Sequence, residues 1–347
     1  MAYSTITKPA DYFNTKLYTG NGSTQSITGV GFQPDFTWIK DRTNAYGHDL
    51  YDVIRGATNR IQSNDTGAES SASGLTSFDS DGFSLGSYVG DNTNTANYVS
   101  WNWLAGGTAS SNTQGDITSS VSANTTAGFS IVSYSGNSSS ATVGHGLGVA
   151  PKMIIIKHTN DVDDWTCYHS SLGSSQRIQL NSSGAASALS WGGDPTSSVF
   201  YLLGGGATAV NVTGGTYIAY CFAEKKGFSK FGSYTGNGNA DGPFVYTGFA
   251  PAWVVVKRTD STGHWVLRDN KMLTYNVKDN YILPSDSGGE TTSATNNKMD
   301  FLSNGFKQRS PSLGTAENAS GGTYIYMAFA ENPLVSNTGG GIPATAR

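Results

Sequence analysis

A heptad that occurs three times is the feature that most constrains the fold of this chain. The copies are Pro34–Lys40 (PDFTWIK), Pro151–Lys157 (PKMIIIK) and Pro251–Lys257 (PAWVVVK). Each opens with a proline, which can begin a strand because it has no N–H to contribute to the ladder. The apolar run that follows is rich in β-branched and aromatic residues, which suit a pleated, buried surface. Because alternation is absent in the Pro34 and Pro251 copies, the pattern predicts a central strand with two dry faces.

Two further landmarks accompany each heptad. A Tyr-small-Gly-Asn motif lies 16 or 17 residues before each proline, and its copies begin at Tyr18, Tyr134 and Tyr234. An apolar segment closes each copy, and these segments begin at Tyr98, Tyr217 and Tyr324. Three ordered landmarks in three copies indicate a unit of about 100 residues, the size of a small domain, that the chain uses three times.

The composition favours short strands and turns. The chain has 347 residues, of which 44 are glycines, and charged residues make up only 13%. Each unit holds about seven short strand signals between glycine-rich turns and has no helical periodicity, which is typical of a β-sandwich. We therefore predict an all-β chain of three tandem β-sandwich modules, jelly-roll or lectin-like, called repeats 1 to 3 below.

The predicted boundaries follow the landmarks and the composition. No linker separates repeats 2 and 3, so these two are expected to pack rigidly. The dry outer face of each central strand is expected to be covered by a neighbouring repeat, a long loop or another subunit. The predicted segments are an N-terminal leader and possible virion-docking segment at 1–15, repeat 1 at 16–105, a Gly/Ser/Thr linker at 106–127, repeat 2 at 128–226, repeat 3 at 227–331 and a C-terminal tail at 332–347.

Charge and spacing argue against several classes of function. The net charge is −4 without any basic run, so nucleic-acid binding is not expected. Apolar stretches stay well short of about 18 residues, so membrane insertion is not expected. The five histidines are not spaced as metal ligands, and no nucleophile elbow or phosphate-binding loop is present. The sequence therefore predicts no cofactor, no metal site and no enzymatic activity.

Two pairs of reactive side chains have structural interpretations. Asp79 and Asp81 in the segment DSDG predict a turn before a strand, with a calcium loop or a catalytic pair as alternatives. Cys167 and Cys221 align with apolar residues of repeat 3, so we expect two buried thiols, with a disulfide or metal pair as the alternative.

Aromatic residues are the remaining candidates for binding a ligand, because their rings can stack on sugars. The chain has 18 Tyr, 15 Phe and 7 Trp, and most lie at repeated strand positions that indicate core packing. Residues without a repeat counterpart are better candidates. Trp191, Tyr275 and Tyr281 are therefore the predicted glycan-binding residues.

Two stretches and the chain end carry a resemblance to a known group. The stretches Tyr18–Arg42 (YTGNGSTQSITGVGFQPDFTWIKDR) and Ser122–Asn137 (SANTTAGFSIVSYSGN) resemble a repeat family common in bacteriophage structural proteins, especially of phages of marine bacteria and cyanobacteria. The ending Gly341–Arg347 (GIPATAR) is similar to those chains too. The resemblance covers nearly the whole length. It implies a place in the virion and a role in adhesion or decoration, and it assigns no residue a role.

The leading expectation is a tail fibre or receptor-binding protein that adheres to host cell-surface glycans, located in the tail. The alternative is a capsid decoration or head-fibre protein, and a polysaccharide depolymerase is a remote third. The expected partners are other virion proteins and a host glycan. A homotrimer is favoured because fibres usually trimerise, although three repeats in one chain could instead form a pseudo-threefold monomer.

Overall fold

The computed structural model describes residues 4–204, 209–293, 295–311 and 315–334. Within these residues the chain forms 28 β-strands, two single-turn α-helices and one 3-10 turn at Pro9–Asp11. The named strands pair in antiparallel ladders. The all-β prediction is therefore confirmed. Neither α-helix exceeds four residues, and in the described part of the chain no helix is long and apolar enough to cross a membrane.

Repeat 1 forms a larger sheet in the order β1-β9-β3-β4-β5-β6 and a smaller sheet in the order β2-β8-β7. Helix α1 precedes the closing strand. The elements are β1 (Phe13–Thr19), β2 (Gln25–Thr28), β3 (Phe36–Asp41), β4 (His48–Asp52), β5 (Asn59–Gln62), β6 (Ser70–Ser71), β7 (Leu75–Asp79), β8 (Gly82–Leu85), α1 (Val89–Asn92) and β9 (Asn97–Trp103).

Repeat 2 forms a larger sheet in the order β10-β11-β12-β19-β14-β15-β16-β17 and pairs β13 with β18 in a smaller one. Its strands are β10 (Ser110–Asn112), β11 (Ser119–Asn124), β12 (Phe129–Ser135), β13 (Ala141–Gly144), β14 (Met153–His158), β15 (Thr166–His169), β16 (Gln176–Gln179), β17 (Ser187–Ala188), β18 (Val199–Leu202) and β19 (Thr216–Phe222).

Repeat 3 forms a larger sheet in the order β20-β28-β22-β23, a smaller sheet in the order β21-β27-β26, and the short pair β24-β25. Its elements are β20 (Ser229–Thr235), β21 (Phe244–Tyr246), β22 (Phe249–Arg258), β23 (Val266–Asp269), β24 (Asn280–Tyr281), β25 (Thr291–Thr292), β26 (Met299–Leu302), β27 (Gly305–Gln308), α2 (Thr315–Asn318) and β28 (Thr323–Pro333).

All three repeats place the heptad strand in the same position. The shared order is the tyrosine-motif strand, the closing strand, the heptad strand and the strand after it. The heptad strands β3 and β14 are buried at every residue, and β22 is buried throughout its apolar run. An interior strand with both faces covered cannot alternate polar and apolar residues. This confirms the prediction of a central strand with two dry faces.

One face of each larger sheet packs against the smaller sheet of the same repeat. In repeat 1, Ile39 and Tyr98 of the larger sheet share a buried cluster with Phe83 and Leu85 of the smaller one. Repeats 2 and 3 have corresponding clusters of their own. Each repeat thus encloses an apolar core between two sheets.

The other faces of the three larger sheets meet in one central core. Trp103 of repeat 1 lies with its ring centroid 6.3 Å from Phe222 of repeat 2 and 5.9 Å from Trp253 of repeat 3. The same cluster includes further residues from all three heptad strands. Removing this apolar surface from water favours the association of the repeats. The expectation that a neighbouring repeat covers the outer face is met within one chain.

Equivalent hydrogen bonds join each repeat to the next and close a ring. The donor in each bond is the side chain opposite the heptad lysine, at or just before the start of the strand that follows the heptad strand. The acceptor is a backbone carbonyl of the adjoining repeat. The three bonds are Trp165 Nε1 to Gln62 O at 2.8 Å, Trp265 Nε1 to Gln179 O at 2.8 Å and His48 Nε2 to Leu283 O at 3.1 Å. The chain therefore has a pseudo-threefold arrangement.

The central core changes the interpretation of the chain ends and the oligomer. Within the predicted leader, Ile6 and Phe13 are 2% exposed and belong to the central core, so residues 4–15 are packed against the body. The tail was predicted to begin at 332, but β28 continues to Pro333, and residues 335–347 lie outside the described residues. The apolar faces that suggested further subunits are buried inside the chain and no longer argue for a homotrimer.

The stretch 106–127, predicted to be a linker, contains two strands. β10 pairs with β11, and β11 pairs with β12 over five residues, which extends the larger sheet of repeat 2. Glycine, serine and threonine composition indicates flexibility only when no partner is present. Here an exposed edge of β12 provides the partner, because backbone pairing does not depend on apolar side chains.

Candidate functional site

The repeated tyrosine motif is a structural clasp. In repeat 1 the rings of Tyr18 and Tyr98 stack at 5.0 Å, and Tyr18 donates its hydroxyl to Asp91 O at 2.8 Å. The buried amide of Asn92 accepts a hydrogen bond from Asn21 N at 2.9 Å. The same bond recurs from Asn137 N to Asn211 and from Asn237 N to Asn318, each at 2.9 Å. Because all three repeats share the clasp, residues that recognise a ligand are better sought where the repeats differ.

Trp191 lies inside repeat 2. It is 2% exposed, its Nε1 donates to Gln176 O at 2.8 Å, and its ring meets Tyr168 edge-on at 5.8 Å. A ring enclosed in this way cannot stack on a sugar that arrives from solvent. The burial therefore argues against Trp191 as a glycan contact and gives it a supporting role for β16.

Tyr281 is half-buried on β24, with the Arg268 guanidinium 5.5 Å from its ring centroid. Arg268 is itself held by an ion pair with the buried Glu317. One face of the Tyr281 ring is thus occupied by a fixed cation, an arrangement that favours a cation–π contact over ligand stacking.

Tyr275 is 76% exposed. The neighbouring Asn276 fixes this loop along β26, because its amide donates to Phe301 O at 2.7 Å and accepts from Phe301 N at 3.0 Å. The next residue, Val277, is 41% exposed. The predicted candidate therefore stands at one edge of the smaller sheet of repeat 3, next to a second exposed apolar side chain.

Two aromatic residues at the opposite edge of this sheet were missed by the sequence analysis. Phe244 and Tyr246 on β21 are 46% and 52% exposed, whereas Val245 between them is buried at 7%. The alternation directs both rings away from the core of the repeat. We call Phe244, Tyr246, Tyr275 and Val277 the aromatic face. The edge strands β21 and β26 are two strand spacings apart, roughly 10 Å, and the loop of Tyr275 lies beside β26.

Comparison of the ladders shows that the two aromatic residues of β21 are particular to repeat 3. The buried residues Ile27, Val143 and Val245 each pair with a phenylalanine of the smaller sheet, which aligns β2, β13 and β21. The outward positions that correspond to Phe244 and Tyr246 are then Ser26 and Thr28 in repeat 1, and Thr142 and Gly144 in repeat 2. This register between repeats is the signal that would have identified the two residues, and it requires the strand pairing.

Paired charges border the aromatic face. Lys307, which is opposite Phe244 in the ladder, contacts Asp241 at 2.5 Å, and Arg309 contacts Asp300 at 2.6 Å. The hydrogen bond and charge of Lys307 lower the pKa of the exposed Asp241 carboxyl. The border therefore consists of ion pairs of opposite charge, and it offers donors and acceptors beside exposed rings. Such a surface can bind a polyhydroxylated ligand through ring stacking and peripheral hydrogen bonds.

The acidic residues considered as an ion site or a catalytic pair serve the turn between β7 and β8. Asp81 accepts hydrogen bonds from Gly29 N at 3.0 Å and Gly31 N at 2.7 Å. Asp79 accepts from the hydroxyls of Ser77 and Ser84. Among the described residues, no group of three or more His, Cys, Asp or Glu side chains is placed to hold a metal ion. The contacts agree with the turn interpretation.

A carboxyl pair that the sequence did not indicate lies inside repeat 1. Asp49 and Asp91 are at most 1% exposed, and Tyr51 donates to Asp91 Oδ2 at 2.6 Å. Burial, together with the Asp49 charge, raises the pKa of Asp91 well above its ordinary value. Substrate cannot reach the pair from solvent, so its geometry does not serve glycoside hydrolysis.

The two cysteines are also internal. Cys167 lies in the central core and Cys221 in the core of repeat 2, and both are free thiols without exposed surface. Burial raises the pKa of each thiol, which disfavours the reactive thiolate. Their environment is that of small apolar residues.

Comparisons with known proteins give one result. Searches of curated proteins and of solved structures found no significant match. A family profile described as "Domain of unknown function (DUF7483)" matches residues 8–333, which include all three repeats. The chain belongs to the DUF7483 family of domains of unknown function.

Proposed function

We propose that this protein is a bacteriophage virion protein, a tail fibre or receptor-binding protein that adheres to host cell-surface glycans through the aromatic face. The observation that carries the proposal is the exposure of Phe244 and Tyr246 on one small sheet, with the exposed Tyr275 in the loop at its other edge, whereas the counterparts in repeats 1 and 2 bear Ser, Thr or Gly at the β21 positions. Exposed aromatic side chains in one place indicate recognition. The resemblance of the repeats to phage structural proteins supports the place in the virion.

In this proposal each repeat is a small lectin-like β-sandwich, and the three are packed around the central core. The two-sheet packing in each repeat supports this description. A rigid body would hold the aromatic face in a fixed orientation, which reduces the entropy lost on binding. Several copies in a virion would multiply weak single-site contacts into avidity.

Exchange of the aromatic residues for those of repeat 1 tests the proposal. The double variant Phe244→Ser/Tyr246→Thr is expected to weaken binding to a glycan array by about tenfold or more, as for two aromatic residues at the centre of an interface. Val162→Ser, which changes a side chain that is 68% exposed on repeat 2, is the matched control. Unchanged glycan binding by the double variant would contradict the proposal.

A capsid decoration or head-fibre protein is the second candidate. The observation in its favour is the packing of Ile6 and Phe13 into the central core, which leaves residues 4–15 within a compact body instead of an extended arm. Cryo-electron microscopy of the virion distinguishes the candidates. Density at the tail supports the fibre, and density over the capsomers supports decoration. The homotrimer remains a prediction, and sedimentation of the purified chain tests it.

A further inference from the structure

A groove of about 420 Å³ lies between repeats 2 and 3, away from the aromatic face. One wall is the turn and strand start of repeat 2, with Ser171, Leu172 and Gln176. The other wall is formed by β20, β28 and Thr259, which follows β22, in repeat 3. Its volume falls in the range of small-ligand pockets, roughly 300–1,000 Å³.

The lining is neutral and rich in hydroxyl groups. Ser233, Thr235 and Thr323 are exposed on the repeat 3 wall, and Thr259 is half-buried beside them. The lining residues include no Asp, Glu, Lys or Arg. A groove of this chemistry favours an uncharged ligand with many hydroxyl groups over an ionic one.

Both walls of the groove are held by hydrogen bonds within the protein. Gln176 accepts Trp191 Nε1–H on its backbone oxygen at 2.8 Å, and it pairs with Ala188 on β17. On the other wall, the hydroxyls of Thr259 and Thr323 lie 2.7 Å apart, and Thr259 N donates to Thr323 O at 2.9 Å. The groove is therefore formed before a ligand arrives.

At one aligned position the other two interfaces between repeats carry an ion pair, and in the described part of the chain no ion pair occupies that position between repeats 2 and 3. Backbone bonds align the positions, since Glu69, Ala186 and Glu290 each donate their N–H to the residue two places beyond a heptad lysine. Glu69 pairs with Arg55 at 3.1 Å, and Glu290 pairs with Arg42 at 2.5 Å. Ala186 has no side chain that could do the same.

The partner arginine is missing from the groove as well. Asp52, His169 and Asp269 each pair with the first apolar residue of a heptad strand, so the residues three places later are equivalent. These residues are Arg55, Leu172 and Met272. Repeat 2 thus has Leu172 and Ala186 where repeat 1 has the Arg55–Glu69 ion pair. Leu172 lines the groove, so at this position an uncharged side chain stands where repeat 1 has an arginine.

We infer that this groove binds a short neutral glycan, of disaccharide or trisaccharide size. The inference rests on the proposed glycan-binding function for the choice of ligand class, and it uses a different surface of the molecule. Leu172 supplies an apolar patch for a sugar face, while Gln176 and the serine and threonine hydroxyls supply hydrogen bonds. Two sites on one rigid chain would let it hold two parts of the same polysaccharide.

Filling the groove with the side chains of repeat 1 tests the inference. Saturation-transfer NMR is measured with neutral disaccharides and trisaccharides of glucose, galactose, mannose and N-acetylglucosamine. The wild-type chain is expected to bind one of them, and Leu172→Arg/Ala186→Glu is expected to abolish the signal while the chain stays folded. Gln176→Ala, which leaves the interface intact, is expected to weaken binding about fivefold, the effect of one lost hydrogen bond.

The aromatic-face variant Phe244→Ser/Tyr246→Thr separates this inference from the proposed function. Groove binding is expected to survive in it, even where binding to the glycan array is lost. Saccharide binding that the filled groove and Gln176→Ala leave unchanged would overturn the inference, as would the absence of binding by the wild-type chain. Either result would leave the glycan-array test of the aromatic face unaffected.

Discussion

At the scale of single residues, the heptad lysine joins neighbouring repeats. Lys157 has no exposed surface, and its ammonium group donates to Asp163 O at 2.9 Å and to Thr66 O of repeat 1 at 3.0 Å. Lys40 and Lys257 likewise donate to a backbone carbonyl of their own repeat and to a backbone carbonyl of the neighbouring repeat. Burial lowers the pKa of each lysine to about 8. The lysine that ends each heptad is thus a buried polar connection between repeats.

Lys157→Met tests this role. The substitution retains most of the side-chain volume but leaves two buried carbonyl oxygens without their donor, so the free energy of unfolding is expected to fall by about 1–3 kcal/mol. Chemical denaturation followed by tryptophan fluorescence measures the change. Lys152→Met is the matched control, since Lys152 is exposed near the start of the same heptad. Equal stability of the two variants would show that the buried ammonium group contributes nothing.

At the scale of elements, the glycine of each tyrosine motif permits a close approach between the motif turn and the segment before the closing strand. A Cβ added to Gly20, Gly136 or Gly236 would lie 2.2–2.3 Å from a backbone oxygen of the segment before the closing strand. This contact brings the motif turn against the segment that carries the buried asparagine of the clasp. The spacing between the tyrosine motif and the closing strand is therefore fixed by backbone packing.

Gly136→Ala is accordingly expected to be destabilising. The new methyl group would meet Val212 O at 2.3 Å, and backbone on both sides would have to move. Overpacking of this kind costs about 1–3 kcal/mol, measured as a lowered thermal midpoint. Gly67→Ala serves as the comparison, because its Cβ would meet nothing closer than the Asp65 side chain at 3.5 Å. A thermal midpoint in Gly136→Ala that matches Gly67→Ala would refute the close-approach argument.

The elements that could be predicted are those that repeat. The heptad and the closing segment each became an interior strand of the shared four-strand order, because their apolar runs need burial on both faces. The tyrosine motif begins at the end of the strand beside the closing strand. β10 and β11 could not be predicted, since their residues are polar and their pairing depends on the free edge of β12. Phe244 and Tyr246 were missed for a related reason: their outward direction depends on ladder register, which sequence spacing does not supply.

At the scale of the whole molecule, the central core makes the repeats interdependent. Sequence analysis anticipated a covered outer face but not which surface covers it, because an intramolecular ring and a homotrimer bury the same strand face. The groove between repeats 2 and 3 is lined by residues of separate repeats, with Ser171, Leu172 and Gln176 on one side and the strands of repeat 3 on the other. It becomes visible only when the three interfaces are compared.

Buried histidines make two of these interfaces sensitive to acid. His48 donates to Leu283 O of repeat 3, and its Nδ1 accepts from Trp38 Nε1 at 2.9 Å. His169 donates from Nε2 to Tyr326 O of repeat 3 at 3.2 Å, and its Nδ1 accepts from Ser171 N at 3.1 Å. Both rings are neutral in this arrangement, because a proton on Nδ1 would displace the donor that it accepts.

The stability of the interface between repeats 2 and 3 is therefore expected to depend on pH through His169. Burial lowers the pKa of His169 to about 4, whereas it is about 6.5 in the unfolded chain. Above pH 6.5 both states are neutral. Between pH 6.5 and 4 only the unfolded state gains the proton, so the free energy of unfolding decreases as the pH falls, by up to about 3 kcal/mol from this residue.

His169→Gln keeps a donor for Tyr326 O and cannot titrate. The free energy of unfolding of this variant, measured by denaturation, should therefore decrease less over this pH range than that of the wild type. The comparison isolates His169 from the buried carboxyls Asp49 and Asp91, whose raised pKa values act in the opposite direction in both proteins. Parallel pH profiles for the two proteins would show that this ring does not govern the acid response.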